Sequence, residues 1–341
     1  MPRLRSNLHF VFLAVAALCP LLDTLLPEQL RFADALRPIF IFALLGLGLN
    51  VVTGFTGLLN LGAAGFMAIG GYSYAIATCD IYPFQLGFFG ALLMSALTGM
   101  TAGILLGLPT LRLRGDYLAI ATLGFGEIVQ SIIRNLDVIT KGTQGINPIP
   151  APILFGYVFQ PENYLPWYYL FWSILTVAVV VVSNLERSSV GRRWISVRED
   201  ELASACMGTD VVRAKMSAFI VGAILCSIAG ALWVSYLGST GEPGNYDFQI
   251  SIIALCMVIV GGLGSIPGVL LGALVMIGFN SILLTKIAAW INSLSTVSST
   301  NVLASPNNWK YLIFGLALVV MMRFKPEGLL PAGRHYHRRG K

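Results

Sequence analysis

The chain has 341 residues, of which 56% are hydrophobic and only 11% are charged. Soluble domains usually carry about a quarter charged residues, so this composition excludes an ordinary soluble domain. The formal net charge is +6, but the basic residues cluster in short loops and at both ends, which argues against nucleic acid as a partner. We therefore predict an all-α integral membrane protein whose single domain, residues 1–341, lies in a lipid bilayer.

Apolar runs of roughly 20 residues indicate membrane-spanning helices, and the chain has about ten such runs. Their approximate bounds are Leu8–Leu26, Pro38–Thr53, Leu58–Cys79, Phe84–Leu108, Tyr117–Asn135, Trp167–Ser183, Met216–Leu237, Ile250–Val260, Pro267–Thr285 and Tyr311–Met322. Residues 1–22 resemble a signal peptide, but the apolar run continues to Leu26. This length favours an uncleaved first span over a cleaved leader.

An even number of spans places both termini on one side of the membrane. Sixteen of the 22 basic residues then fall in the segments on that side, as the positive-inside rule expects for the cytoplasm. We expect the loop 184–215 and the tail 323–341 to be cytoplasmic. The proline-rich loop 136–166 is then external, where it either covers a pore mouth, meets a partner or simply connects two spans.

Two glycine-rich stretches do not predict ordinary spans: 54–71 (GFTGLLNLGAAGFMAIGG) and 261–278 (GGLGSIPGVLLGALVMIG). Four-residue spacing of Gly264, Gly268 and Gly272 lets helix backbones approach closely. Glycine and proline at membrane depth are also typical of broken helices, whose exposed backbone is tolerated where it lines a pathway. Tight packing alone and packing with pathway lining both remain open. The candidate pathway residues in these stretches are Asn60, Gly62, Gly264 and Gly268.

Glu127 is the acidic residue that lies well inside a predicted span. An ionisable group at membrane depth is costly and normally faces protein or water. Gln130 and Arg134 follow at i+3 and i+7 and share its helical face, so we expect a polar stripe that points into the bundle. Glu127 and Gln130 are candidates for pathway or gating residues. The alternative is a structural ion pair or hydrogen bond between helices.

No catalytic or metal-binding pattern is present. The three histidines lie at the ends of the chain, and four of the five cysteines lie in apolar runs, where cysteine behaves as a small hydrophobic residue. We predict no disulfide framework, no metal site and no cofactor bound by this chain. A phosphate-binding loop is also missing, so another chain must bind ATP if ATP drives this protein.

The charged stretch 184–215 holds eleven charged residues between two long apolar runs. Residues 198–207 (REDELASACM) begin with acids and are followed by Gly208, a combination that predicts a short helix. We expect Thr209 to cap the next helix, which enters the membrane through Val211.

This short helix is amphipathic, because Leu202, Ala205 and Cys206 fall on one face. Two interpretations remain open: a docking helix for a cytoplasmic partner, and a solvated connector. The residues proposed to couple such a partner to the membrane domain are Glu199, Asp200, Glu201, Leu202, Ala203 and Gly208.

Five segments together resemble the LivM-type permease subunit of high-affinity branched-chain amino acid ABC importers. They are GLNVVTGFTGLLNLGAAGF (48–66), LRLRGDYLAIATLGFGEIV (111–129), VGRRWISVREDELASACMG (190–208), GGLGSIPGVLLGAL (261–274) and RFKPEGLLP (323–331). The set covers most of the membrane domain in family order, and it is far more specific than any single glycine cluster.

This resemblance implies the all-helical fold of an ABC importer permease in the bacterial inner membrane. It implies a LivH-like second permease, two cytoplasmic ATPase subunits that hold ATP and Mg, and a periplasmic binding protein that delivers the substrate. Residues 199–208 are similar to the family's coupling loop, although Ser204 and Cys206 replace the alanine or acidic residues common there. Transport would proceed by alternating access.

Three functions remain in competition at this stage. The first is import of a branched-chain or other hydrophobic amino acid by an ABC transporter. The second is the same machinery carrying urea or short-chain amides, since no single residue identifies the cargo. The third is a proton-coupled secondary transporter that works through Glu127, although such a protein would not need a charged docking helix. None of the three makes the chain itself an enzyme.

Overall fold

Apolar helices dominate the structure, a computed structural model that describes residues 8–23, 33–83, 85–110, 116–154, 156–160, 163–279, 315–316, 319–325 and 327–331. In chain order the helices are α1 (Leu8–Asp23), α2 (Ala33–Asn50), α3 (Ala63–Thr78), α4 (Phe88–Thr110), α5 (Asp116–Asn135), α6 (Asp137–Thr140), α7 (Tyr164–Arg187), α8 (Ser189–Glu199), α9 (Glu201–Cys206), α10 (Val211–Leu237), α11 (Phe248–Gly261) and α12 (Ile266–Gly278). A π-helical turn (Val51–Phe55) continues α2, and 3-10 turns cover Gly142–Gln144 and Pro243–Tyr246. The strands β1 (Ile153–Leu154) and β2 (Tyr157–Val158) form a two-stranded antiparallel hairpin.

Five helical segments in the described part of the chain are long and apolar enough to cross a membrane. They are Ala35–Phe55, Phe88–Thr110, Tyr164–Arg187, Val211–Leu237 and Pro243–Gly261. Two shorter apolar helices, Val11–Pro20 and Ile266–Gly278, accompany them. The predicted all-helical membrane fold is confirmed, whereas the count of ten crossings stays a prediction.

Helix α10 lies at the centre and packs against α2, α3 and α4. Small residues allow this close approach: a methyl group on Gly230 of α10 would overlap the carbonyl oxygen of Met67 in α3. The Ser227 hydroxyl donates to the Phe66 carbonyl across the same interface (3.0 Å). Helices associate in lipid through such close packing and interhelical hydrogen bonds. Around this centre, α12 packs on α2 and α11, α5 packs on α3, and α7 packs on α1 and α2.

Two breaks interrupt the bundle at the glycine-rich stretches. Helix α2 passes through the π-helical turn, and residues 57–62 form no helix before α3 begins at Ala63. The predicted span Leu58–Cys79 is therefore wrong at its start, because the left-handed backbone at Gly57 (φ +72°) ends the preceding helix. The second break, residues 262–265, separates α11 from α12. Discontinuous segments are thus confirmed.

Other boundaries differ by a few residues. Helix α10 begins at Val211 in place of Met216, because the polar residues before Met216 continue the helix outward from the apolar run. Helix α7 likewise extends the predicted Trp167–Ser183 at both ends. The predicted spans Pro267–Thr285 and Tyr311–Met322 lie partly outside the described residues.

The first helix contains a proline whose effect is compensated by a distant side chain. Pro20 has no backbone N–H, so the carbonyl of Ala16, four residues earlier, loses its usual helical donor. The Tyr168 hydroxyl of α7 donates to that carbonyl instead (2.6 Å), and the Trp172 indole N–H donates to the Leu13 carbonyl (3.0 Å). These bonds hold α1 against α7.

The predicted external loop 136–166 has structure of its own and lies beside the connection after α10. The backbone N–H of Ile146 donates to the Thr240 hydroxyl (2.8 Å), and that of Ile149 donates to the Gly238 carbonyl (2.9 Å). This loop and the connection after α10 therefore lie at one end of the bundle. The side of the membrane that this end faces stays a prediction.

Candidate coupling and pathway site

The charged stretch 184–215 contains two short helices, α8 and α9, that meet at Asp200. The Asp200 carboxylate accepts the backbone N–H groups of Leu202 (2.8 Å) and Ala203 (3.0 Å), so it caps α9. Its extended backbone (φ −158°) ends the preceding helix. The single helix predicted over 198–207 is therefore wrong, because α8 ends and α9 begins inside it.

A glycine and a second aspartate connect α9 to α10. Gly208 is exposed and has the left-handed backbone (φ +81°) expected of a residue just past a helix end. Asp210 caps α10 by accepting the backbone N–H of Arg213 (3.0 Å). The predicted cap, Thr209, was wrong by one residue; aspartate is also the stronger capping residue.

An ion pair fastens α9 to α10. The Lys215 ammonium lies within salt-bridge distance of the Glu201 carboxylate, and their side chains are 5% and 29% exposed. A buried ammonium without a partner is costly, so this pair holds α9 in place. Of the two glutamates proposed for coupling, Glu201 is therefore occupied by an ion pair within this chain, whereas Glu199 is exposed at the end of α8.

Apolar side chains cover the outer face of α9. Leu202 is 68% exposed and Met207 is 86% exposed, and Ala203, Ala205 and Cys206 are exposed beside them. We call these five residues the docking face. Apolar surface of this kind, rimmed by charges, is typical of a protein–protein interface.

A buried tryptophan anchors helix α8 to the bundle. Trp194 is completely buried, and its ring stacks on Phe55 of the π-helical turn, with ring centroids 6.3 Å apart. Its indole N–H donates to the Ser217 hydroxyl of α10 (2.8 Å). The pair of helices α8 and α9 is thus packed directly against the first break.

Arg198, at the end of α8, reaches into both breaks. Its guanidinium donates a hydrogen bond to the Gly54 carbonyl of the π-helical turn. A methyl group on Gly264 in the second break would lie 2.8 Å from the same guanidinium nitrogen, and one on Gly57 would lie 3.1 Å from the Arg198 side chain. The absence of a side chain at Gly57 and Gly264 leaves room for the arginine, and the left-handed backbone at both positions (φ +72° and +79°) favours glycine there.

Asn50 connects the two breaks to each other. Its side-chain oxygen accepts the backbone N–H of Gly264 (2.9 Å), and the side chain is completely buried. A methyl group on Gly54 would overlap this oxygen and would lie 2.6 Å from the Gly264 nitrogen. The glycines therefore let two non-helical backbones meet inside the bundle.

Side chains also satisfy the backbone N–H groups of the first break. The Asn60 side-chain oxygen accepts the N–H of Gly62 (2.9 Å), and the Thr122 hydroxyl accepts that of Leu61 (3.0 Å). Asn60 is 2% exposed, so its described role is a local hydrogen bond. A methyl group on Gly62 would lie 2.7 Å from the Thr122 carbonyl of α5, which explains the glycine by close packing.

The second break is completed by the family-like ending 327–331. The N–H groups of Leu329 and Leu330 donate to the carbonyls of Val260 and Gly261 (2.9 Å each). Gly268 packs on the same turn, where a methyl group would lie 2.6 Å from the Gly261 carbonyl oxygen.

The predicted glycine row on α12 is divided between two roles. Gly268 and Gly272 lie in α12 and pack against α11, whereas Gly264 lies in the break with left-handed backbone (φ +79°). Tight packing therefore accounts for two members of the row.

The polar stripe on α5 does not point into the bundle as predicted. Glu127 and Arg134 are exposed, and the Glu127 carboxylate has no hydrogen-bond or ion-pair partner among the residues that the structure describes. The Gln130 side-chain nitrogen donates to the Pro243 carbonyl (3.1 Å), outside the stripe. The inner face of α5 is occupied by other buried side chains: Leu118, Ala119, Thr122, Val129 and Ile133.

A shallow groove continues the exposed face of α5 beyond Glu127. It is lined by Ile128, Ser131, Ile132, Asn135 and Leu136. The face is therefore a mixed polar and apolar surface that the described residues leave uncovered.

Sequence reasoning missed the residues that join the parts: Arg198, Trp194, Lys215 and Asn50. Their partners are backbone atoms or residues far along the chain, so no local spacing reveals them. A sequence signal was available only for Lys215, which directly precedes the apolar run predicted as Met216–Leu237. Within the described ranges, no group of three or more His, Cys, Asp or Glu side chains is placed to hold a metal ion.

Comparison with known proteins places these features among transport permeases. The family described as "Branched-chain amino acid transport system / permease component" matches residues 32–322. The chain is 37% identical over 315 residues to the high-affinity branched-chain amino acid transport system permease protein LivM of Salmonella typhimurium and of Escherichia coli K12, covering 86% of this chain and 68% of each relative.

More distant similarity extends to a second permease type and to one solved structure. The permease LivH of Salmonella typhimurium is 22% identical over 252 residues, covering 69% of this chain and 79% of LivH. A solved chain of a proposed metal-chelate type ABC transporter, in an inward-facing conformation, is 14% identical with a TM-score of 0.49, covering 95% of this chain and 99% of that chain.

Proposed function

The chain belongs to the family of branched-chain amino acid transport permease components, and we propose that it forms one of two membrane subunits of an importer for branched-chain or other hydrophobic amino acids. The observation that carries the proposal is the docking face on α9. It is apolar, outside the apolar runs and fastened to α10 through Glu201 and Lys215. A surface of this kind suits a partner that pushes on the bundle.

The partners follow from the family. A LivH-like permease is the second membrane subunit, and its similarity to this chain supports a pseudo-symmetric pair. Two cytoplasmic ATPase subunits hold ATP and Mg and press on the docking face. A periplasmic binding protein delivers the cargo to the opposite end, in the bacterial inner membrane with both termini of this chain cytoplasmic.

The transport cycle would then be alternating access. ATP binding closes the ATPase pair, which moves α9 and, through its ion pair, the start of α10. A conformational equilibrium shifts only when a ligand prefers one of two states, and the closed ATPase pair would supply that preference. Because α10 contacts α2, α3 and α4, its displacement reaches the centre of the bundle.

The exposed face of α5 is our candidate for the pathway wall. Glu127 at membrane depth would be costly against lipid, so we infer that the second permease or an aqueous pathway covers it. This assignment also explains the uncovered groove next to Glu127. Gln130, Asn60 and Gly62 would act from behind this wall by holding the backbone that shapes it, whereas Gly264 and Gly268 would hold the backbone of the second break.

The relatives favour amino acid cargo over the alternatives. The LivM proteins are named for branched-chain amino acids, which makes urea and short amides less favoured. Proton-driven secondary transport is disfavoured by membership in a family of transport-system components and by a docking face that such a protein would not need.

The test is uptake by the reconstituted four-subunit assembly in liposomes, with the ATPase subunits and ATP inside and the loaded binding protein outside. We expect uptake of labelled leucine that vanadate abolishes and an uncoupler leaves intact. Labelled urea and acetamide serve as matched cargo controls. Full uptake without the ATPase subunits, or its loss to an uncoupler while ATP is maintained, would contradict the proposal.

A further inference from the structure

We propose that Arg198 is the positioning residue that transmits movement of the docking helix to both broken segments of the bundle. This inference deepens the proposed function and rests on it. It assigns to one side chain the physical connection between the ATPase-facing element and the non-helical backbone inside the membrane domain.

The first support is the acceptor that Arg198 uses. In a continuous helix, the Gly54 carbonyl would accept the backbone N–H of Leu58, but that N–H donates to Val52 (3.4 Å). The break therefore leaves the Gly54 carbonyl without its helical donor. The Arg198 guanidinium supplies a charged donor in its place, and bonds of this type are among the strongest available to a backbone carbonyl.

The second support is that one guanidinium touches both breaks. It lies over Gly264, while Asn50 joins the Gly264 nitrogen to the end of α2. Movement of the guanidinium consequently changes the surroundings of two non-helical segments together. Trp194, which anchors the same helix, contacts the first break through Phe55.

The third support is the short route from docking face to arginine. Arg198 precedes the Asp200 cap by two residues, and Asp200 begins α9. Trp194 and Val197, both buried, hold the rest of α8 against the bundle. A push on α9 therefore turns the end of α8 about these anchors, and the guanidinium is carried with it.

The fourth support is an unmet hydrogen-bond donor at the same place. The side-chain nitrogen of Asn50 is buried and has no partner among the described residues. A buried donor without an acceptor is costly. A second conformation of the breaks could give this nitrogen an acceptor. The unmet donor therefore fits a segment that alternates between two conformations.

The experiment compares Arg198→Gln and Arg198→Lys with the matched control Arg193→Gln in the reconstituted assembly. Arg193 is exposed on the same helix and does not face the breaks. We expect Arg198→Gln to bind the ATPase subunits normally but to lower leucine uptake per ATP hydrolysed by about tenfold, as loss of a charge-assisted bond allows. Arg198→Lys should restore part of the ratio, because the ammonium keeps one donor.

A spectroscopic measurement separates transmission from docking. Nitroxide labels are placed at Ser189→Cys, on α8, and at Leu59→Cys, in the first break. Cys206, a member of the docking face, is replaced by serine in every chain compared, the parent included. Vanadate trapping should change the mobility of both labels in the parent chain. In Arg198→Gln, the change at residue 189 should persist while the change at residue 59 is lost.

The outcomes distinguish this inference from the function on which it rests. If the parent assembly neither hydrolyses ATP nor imports leucine, the proposed function fails. If the parent works and Arg198→Gln keeps the normal uptake per ATP, Arg198 transmits nothing and the inference fails alone. Loss of assembly in both Arg198 variants, with Arg193→Gln intact, would make the arginine purely structural and would also overturn it.

Discussion

At the scale of single residues, the structure gives different roles to acids that look alike in the sequence. Glu199 and Glu201 stand two positions apart in the same charged stretch. The first ends α8 in solvent, whereas the second meets the buried ammonium of Lys215. Asp200 between them caps a helix. Only Glu199 therefore remains free to meet a partner directly.

Charge reversal at these two positions should separate stability from docking. Glu201→Lys places two ammonium groups together and should lower the free energy of unfolding by about 1–3 kcal/mol, a value reduced because Glu201 is partly exposed. Glu199→Lys should leave the thermal midpoint of the purified chain unchanged and affect only ATPase coupling. Equal midpoints for both variants in detergent would contradict the assigned ion pair.

Glu127 lends itself to a second residue-scale prediction. Because its carboxylate is exposed on this chain, Glu127→Gln should leave the thermal stability of the isolated subunit unchanged. In the assembled transporter, we expect a several-fold lower uptake rate with normal subunit stoichiometry. A destabilised isolated subunit, measured against the exposed control Ser131→Ala, would instead favour a structural role.

At the scale of elements, close packing around α10 depends on glycine more than on large apolar side chains. Gly230 meets Met67, and Gly70 meets Ser227, with no room for a methyl group on either glycine. The two breaks follow the same rule, since glycines let Asn50 and Arg198 approach the backbone. Glycine in this chain thus allows close helix packing and also lets polar side chains reach backbone atoms in the breaks.

Gly230→Ala tests this packing. The added methyl group would overlap the Met67 carbonyl, a backbone atom that cannot move aside cheaply. We expect destabilisation of about 1–3 kcal/mol, the usual cost of overpacking, seen as a lower thermal midpoint and lower yield. The matched control is Gly90→Ala, where the methyl group would make an ordinary contact of 3.5 Å with Leu86. A similar midpoint for both variants would mean that α3 and α10 separate easily.

At the scale of the whole molecule, the two ends of the bundle differ in kind. One end carries the charged helix pair, both breaks and the ending 327–331. The opposite end carries the loop 136–166 and its hydrogen bonds to the connection after α10. A partner that binds one end can influence the other only through the long helices between them.

The docking face provides the matching prediction. Leu202→Asp puts a charge in the centre of the apolar face and should reduce co-purification of the ATPase subunits at least about tenfold, while the membrane subunits stay paired. Val138→Asp is the control, since Val138 is 88% exposed at the opposite end. Undiminished co-purification with Leu202→Asp would remove α9 from the interface.

The fold and the location of the candidate site follow from sequence patterns, but the side-chain contacts that join the helices to the breaks do not. Apolar runs predict the helices, and the glycine-rich stretches mark where the helices break. The partner of Arg198 is a backbone carbonyl 144 positions away, and backbone acceptors leave no mark in a sequence. The direction of Glu127 was wrong for a related reason, because Thr122 and Val129 occupy the buried face of α5 and periodicity alone does not say which face a subunit covers.

The proline in α1 has a consequence for biogenesis. During synthesis, the first helix is made long before Tyr168 leaves the ribosome, and until then the Ala16 carbonyl has no donor from α7. Lipid offers no substitute donor. The Ala16 carbonyl therefore gains its hydrogen bond only when the Tyr168 hydroxyl, 152 positions later in the chain, is placed beside it. Quality-control proteases should therefore degrade chains truncated before Tyr168 faster than chains truncated just after α7.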